Sequence, residues 1–296
     1  FDSSKPVILL DSHIDTVKPA PGWSVDPFTA IEEGDRITGL GSNDAGGSLV
    51  ALLAVFLHFY ERQDLPWNLI YSASAEEETS GVNGLTSILQ DLPRLHFAVM
   101  GEPTGMNLAI AEKGLLVLDC TAHGKSGHAA REEGENALYK ALDDIRKLRD
   151  FRFEKVSDLL GPVKITVTQI EAGTQHNVIP DLCHFVVDVR TNEFYRNEEA
   201  CQIISGLISS SVKPRSFRLN SSGIPVTHPF AMKASQLGVT LYGSPTTSNQ
   251  AVVPCPSVKM GPGDSARSHT ANEFIMIHEI YEGIQLYTAI LENLHF

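Results

Sequence analysis

Three short apolar runs in the first hundred residues each stop on a histidine or an acid, and this pattern constrains the fold more than any other feature. Val7–Leu10 runs into Asp11-Ser12-His13, Trp67–Ala73 into Glu76-Glu77-Glu78, and Phe97–Met100 into Gly101-Glu102-Pro103. Short apolar runs without strict alternation read as strands buried on both faces. Between the first two runs, Asn43-Asp44-Ala45-Gly46-Gly47 opens the apolar segment Ser48–Tyr60, which has helical length. Val82–Gln90 reads as a short helix before the third run. Strands alternating with helices predict an α/β domain with a mostly parallel central sheet. Ligands of such sheets bind beyond the carboxyl ends of the strands. His13, Glu77, Glu78 and Glu102 all fall there.

The middle of the chain has a different rhythm. Leu115–Ala122 reads as a strand, Asn136–Leu148 as a helix, and Val163–Ile170 and Cys183–Val189 as strands. Glu198–Ser209 follows as a helix and Ser216–Leu219 as a last strand. The order βαββαβ is that of a ferredoxin-like unit. It predicts an inserted domain over 111–212, within a first domain made of 1–110 and 213–296. The returning segment supplies two helices, Pro229–Leu237 and Asn272–Glu292.

Charge narrows the function classes. The 296 residues carry a formal charge of −13, with no Lys/Arg run, which argues against a nucleic-acid partner. The apolar run Leu49–Leu57 is too short to span a bilayer. Cys120, Cys183, Cys201 and Cys255 are scattered, which suggests neither a thiolate metal site nor a disulfide framework, and fits a reducing, cytoplasmic setting. Phe1-Asp2 is an unusual natural start, so further N-terminal residues are expected in the whole protein.

Each chemical candidate also has a plain structural reading. Asp44, among Asn and Gly residues, suits a turn or helix N-cap as well as a cation ligand. Glu76-Glu77-Glu78 is more informative, because three adjacent acids beside a buried strand need a compensating charge. Adjacent carboxylates also allow one to ligate while its neighbour stays free as a general base. In His13-Ile14-Asp15 the acid could orient the imidazole. Glu102 gains weight only from its shared position, and His269, in Arg267-Ser268-His269-Thr270, is by itself an ordinary loop histidine.

Taken together, six segments resemble the M20 family of metallopeptidases and deacylases, especially its acetylornithine deacetylase and succinyl-diaminopimelate desuccinylase branch. They are Asp11–Val17, Gly41–Gly47, Glu77-Glu78-Thr79, Gly101–Thr104, Gly124–Ala129, and Gly261-Pro262-Gly263 followed by His269. The resemblance implies two divalent metal ions, Zn2+ in preference to Co2+ or Mn2+. His13 and Glu102 would hold one, Glu78 and His269 the other, and Asp44 would bridge them. It implies Glu77 as general base, Asp15 as the residue orienting the histidine ligand, and a cis bond at Asp44-Ala45. The inserted domain would be a lid that makes a homodimer. In it His128 would stabilise the oxyanion, Arg190 would bind the substrate carboxylate, and Asn177 would lie near the substrate.

Arg267 is open to two readings, a contact to a second substrate carboxylate or a surface arginine. The implied reaction is hydrolysis of an N-acyl amino acid, with N2-acetylornithine, an intermediate of arginine biosynthesis, as first choice. Succinyl-ornithine or succinyl-diaminopimelate come next, then di- or tripeptides, and last a non-catalytic metal-binding role. Two departures stand out: Ala45 occupies a position where the family often has Lys, and the family's helical segment before the first strand has no counterpart here.

Overall fold

The computed structural model describes residues 1–292 and 294–296. It divides into two compact units. One comprises Phe1–Ala111, Gly223–Ser244 and Ser248–Phe296, and the other Glu112–Ser222 with Pro245–Thr247. The sequence pattern returned the chain to the first unit at 213, whereas the structure returns it at Gly223.

The first unit is built on a sheet in which Asn68–Ser74, Val7–His13, Phe97–Gly101 and Ser257–Met260 lie side by side and parallel. Leu108–Glu112 continues it antiparallel, and Leu241–Ser244 pairs with that strand. Successive side chains of a strand point to opposite faces. Ile8 and Leu10 accordingly join one core cluster, and Val7 and Leu9 another. The first cluster takes in Ala51, Leu52, Val55 and Phe59 of the helix Gly47–Phe59, and Tyr287, Ile290 and Leu291 of the helix Ile277–Leu291. Covering both faces explains why these strands read as apolar runs.

Several elements differ from the sequence pattern, each for a local reason. Ser257–Met260 escaped notice because Ser257 and Lys259 interrupt its apolar character, yet all four residues are buried. The expected helix from Asn272 begins at Ile277. Phe274–Met276 pairs instead with Arg36–Thr38, and Asn272 turns the chain with a φ of 57°. Val82–Gln90 contains only the single helical turn Leu85–Ile88. Ser42–Phe59 is long and apolar enough by length and composition to cross a membrane, but its backbone is not helical at Asp44 and Ala45, the continuous helix is Gly47–Phe59, and 44% of the stretch is buried inside the protein.

The second unit carries the strands Ser211–Pro214, Gly114–His123, Leu182–Thr191 and Lys164–Ala172, in that spatial order and all antiparallel. The helices Ala137–Asp150 and Asn197–Leu207 pack on this sheet through Leu148, Ala200 and Ile204. This is the ferredoxin-like arrangement expected of βαββαβ. Its last strand lies at Ser211–Pro214, not Ser216–Leu219. The buried Asp144 carboxylate accepts the Ser209 and Ser210 N–H groups, which turns the chain into the strand directly after the helix. Pro214 is tolerated because this strand is at the sheet edge. A two-stranded ladder, Gly127–His128 with Val178–Ile179, adds to the unit. All four cysteines are free.

Candidate metal centre

His13 is the last residue of a strand whose seven residues are all buried, so its imidazole is fixed at the carboxyl edge of the sheet. Its Nδ1 lies 2.9 Å from the Asp15 main-chain carbonyl, which can only accept, so Nδ1 carries the proton. That leaves Nε2 for a cation. Nε2 faces Asp44 Oδ1 at 3.2 Å and Glu102 Oε1 at 3.9 Å. Glu102 follows directly on the buried strand Phe97–Gly101. The other oxygen of Asp44 faces His269 Nε2 at 3.5 Å, and His269 Nε2 lies 3.2 Å from Glu78 Oε2.

Two groups result, His13–Asp44–Glu102 and Asp44–Glu78–His269, and within each the ligand atoms lie within 4.8 Å of one another. Asp44 belongs to both. The peptide Asp44-Ala45 is cis.

The electrostatics show how strongly the clustered acids repel one another. Burial raises Glu77 to about 7, opposed by His13 and assisted by the charges of Glu78 and Asp44. Burial also raises Glu102 well above the usual carboxylate range, with Glu77 and Asp44 adding to the rise. Glu78 is raised by burial and by Asp44. Burial would lower His13, but its hydrogen bond to Asp44 and the charges of Glu102 and Glu77 lift it to about 11. Four carboxylates against two imidazoles is an acid-rich cluster, and divalent cations would relieve its repulsion. Imidazole and carboxylate donors without thiolate suit Zn2+, Co2+ or Mn2+.

Asp15 acts differently from the expectation. Its carboxylate stands 3.6 Å from His13 Nδ1, farther than its own carbonyl. The carboxylate instead accepts the N–H groups of Glu77 at 3.3 Å and Glu78 at 3.2 Å. Asp15 therefore orients the imidazole through its main chain and the Glu77-Glu78 segment through its side chain. The three consecutive acids diverge. Glu76, with a φ of 58°, turns to Asn83, whose N–H and amide donate to it, while Glu77 and Glu78 stay at the cluster.

The profile of Peptidase family M20/M25/M40 matches residues 9–293. The chain belongs to this family. A succinyl-diaminopimelate desuccinylase of Gluconobacter oxydans is 26% identical over 74% of this chain, and the match spans 60% of that relative's length. A probable carboxypeptidase of Aspergillus fumigatus is 27% identical over 98% of this chain and 71% of its own. The fold matches an M20 metallo-carboxypeptidase of Sulfolobus solfataricus with a TM-score of 0.77 at 18% identity, covering 99% of this chain and 86% of that one.

The remaining candidate residues of this M20 chain lie in the second unit, apart from Arg267. His128 is exposed, and its Nδ1 accepts the Ala130 N–H at 3.1 Å. The Ala129 N–H donates to the Asn177 carbonyl at 3.0 Å, so Asn177 lies beside the end of the small ladder that holds His128. Arg190 grips Asp188 with two hydrogen bonds of 2.8 and 3.0 Å, and its Nη1 approaches Thr247 Oγ1 at 3.4 Å.

Arg267 has its partners within the first unit. Both its terminal nitrogens bond the Glu279 carboxylate, at 2.7 and 3.0 Å, and its guanidinium lies over the Phe274 ring, 4.5 Å from the centroid. A guanidinium so engaged braces the start of the helix Ile277–Leu291, where Glu279 also accepts the Met276 N–H.

Three buried polar residues around the centre were not singled out from the sequence. Glu273 is 2% exposed and accepts the N–H groups of Asn43 and Asp44, and the fully buried Asn43 side chain bonds the Asp264 backbone and the Ser268 hydroxyl. Lys259, 4% exposed, pulls the Glu77 and Glu102 carboxyls downward in pKa. A lysine inside the otherwise buried stretch Ser257–Met260 was the available signal, since lone buried charges need partners.

Proposed function

We propose that this chain hydrolyses an amide bond whose leaving group is the amine of an α-amino acid, using two divalent metal ions, with Zn2+ the preferred occupant. The observation that carries this reading is Asp44, whose two oxygens face two separate histidine–glutamate pairs. His13 and Glu102 would complete one ion's ligand set, and Glu78 and His269 the other's. When bound, such an ion pair lowers the pKa of water and polarises the scissile carbonyl.

The protein's own groups supply the rest. Glu77 sits beside both trios without belonging to either, and its carboxyl is lifted to about 7 by burial. A carboxylate so placed, free of both ligand sets, can take a proton from the attacking water and later deliver it to the leaving nitrogen. Asp15 keeps Glu77 in place by holding its N–H. His128 is assigned to the developing oxyanion, where one donor contributes about 3–4 kcal/mol. Arg190 is assigned to the substrate carboxylate, for which a planar two-pronged donor is suited, with Asn177 close to the substrate.

Succinyl-diaminopimelate, N2-acetylornithine and peptides cleaved at their C-terminal residue share one chemistry: the amine released carries an α-carboxylate. The desuccinylase among the relatives moves a succinylated amino acid ahead of N2-acetylornithine. The engaged Arg267 takes away one argument for a second substrate carboxylate. A carboxypeptidase is the second reading, favoured by the fungal relative that aligns over nearly the whole chain. Assembly as a homodimer through the second unit and a cytoplasmic location complete the proposal.

The decisive test replaces Glu77 with Gln in the zinc-loaded protein. Turnover on succinylated, acetylated or peptide substrates should fall about 10²–10⁴-fold while two metal ions per chain are retained. Unchanged turnover would remove Glu77 as the base, and loss of metal would make it a ligand.

A further inference from the structure

The proposed centre has one trio fixed by strands and one that depends on a loop, and a single buried network joins the shared carboxylate to that loop. Glu273 Oε1 accepts the N–H groups of Asn43 at 3.0 Å and Asp44 at 2.9 Å, and the Gly41 N–H also bonds this carboxylate. The Glu273 carbonyl accepts the Gly39 N–H at 3.0 Å. Glu273 thus gathers the backbone from 39 to 44 around one residue, Gly39 on its carbonyl and Gly41, Asn43 and Asp44 on its carboxylate.

Asn43, directly before Asp44, carries the connection onward. Its amide Nδ2 donates to the Asp264 carbonyl at 3.1 Å and to Ser268 Oγ at 3.2 Å. Its Oδ1 accepts the Asp264 N–H at 3.1 Å. The side chain therefore pairs with the loop as another strand's backbone would. Gly263 is required beside it: its φ is 88°, and a Cβ there would come within 2.4 Å of Asn43 Oδ1. Ser268 precedes His269, whose φ of 61° is unusual for a residue with a side chain. Its hydroxyl also bonds the Asp44 carboxylate.

We propose that Glu273, Asn43 and Ser268 form a positioning latch that sets the distance between Asp44 and His269, and so determines whether the loop-held metal site exists. Glu273 touches neither substrate nor ions and acts through Asp44. The inference rests on the two-metal reading above. It adds that the two ions are held unequally, and that the inequality is controlled from position 273.

The test is a titration of metal-stripped protein with Co2+, followed by its visible absorption and by calorimetry, alongside thermal unfolding. Wild type should take up two ions. Glu273→Ala should keep one ion at near wild-type affinity and lose roughly 10–100-fold for the other, the range typical when a ligand's supporting partner is removed. Ser268→Ala, a smaller change that should leave folding intact, should weaken that same ion by a smaller factor. Glu273→Gln keeps an acceptor oxygen and should restore most of the affinity.

Equal weakening of both ions in step with the melting temperature would show a merely structural role and overturn the latch. Two ions bound with wild-type affinity by both Glu273→Ala and Ser268→Ala would overturn it too. A wild-type chain that binds no Co2+ would instead overturn the two-metal reading, and the latch with it.

Discussion

The two candidate metal positions are built from different materials. His13 and Glu102 come from the ends of adjacent buried strands, and the His13 side chain is 1% exposed. His269 comes from a loop and its side chain is 55% exposed. The sheet holds the first pair through registers that pair Asp11 with Met100 and His13 with Ser74. The second pair depends on side chains, Asp15 for the Glu78 backbone and Asn43 for the loop before His269. A sheet edge can be rigid without help, whereas a loop ligand needs dedicated partners.

The largest expected effect comes from erasing the difference altogether. Asp44→Asn weakens a ligand common to both trios, and metal analysis should find both ions lost together with turnover. Survival of one tightly bound ion would show that Asp44 is not shared.

Next come the two histidines. His269→Ala should leave a chain holding one ion in the strand-built trio. His13→Ala should hold the remaining ion more weakly, because the trio left to bind it relies on the exposed loop histidine His269. Equal residual binding in the two variants, by elemental analysis after dialysis, would end the distinction between strand-held and loop-held sites.

A pH experiment on chelated protein probes the buried side of the comparison. Glu77 is raised from 4.5 to about 7, so the folded state holds a proton there that the unfolded chain releases. Stability from this group is present below about 4.5 and is lost as pH rises toward 7. His13, raised from 6.5 to about 11, contributes stability that is full below 6.5 and is lost as pH climbs toward 11. Melting temperatures of the chelated protein should therefore fall between pH 5 and 8, and Glu77→Gln should flatten the lower part of that fall. A melting temperature that rises across this range would contradict the charge assignment.

The smallest effect is expected from Arg267→Ala. Losing the two-pronged contact with Glu279 should cost about 1–2 kcal/mol of stability, measured by urea unfolding. KM for a succinylated substrate should stay the same, and a rise in KM would return Arg267 to the substrate.

What the sequence disclosed follows the same division. His13, Glu78 and Glu102 were legible because strand-end chemistry follows apolar runs, and those runs are visible in a single sequence. The parallel sheet and the inserted βαββαβ unit were legible for the same reason. Glu273 and Asn43 were not, because each bonds backbone more than 200 residues away in sequence, and no local pattern announces such a partner. Asp15 was placed correctly beside His13, but which of its oxygens would face the ring depends on the path of a different strand. Arg267 was ambiguous because its partner, Glu279, lies twelve residues on, past a short strand that the periodicity did not reveal.

The order in which the ligands occur along the chain has a consequence for synthesis. The strand-held trio is complete once residue 102 has been made, whereas the other needs residue 269. The strand that flanks Glu102 on its far side, Ser257–Met260, also arrives late. A chain emerging from the ribosome can thus finish the whole inserted unit while its reactive centre is still half assembled. The complete pair of ligand trios would then be among the last features the nascent polypeptide acquires, and a chain released early would carry the strand-end acids without the loop histidine.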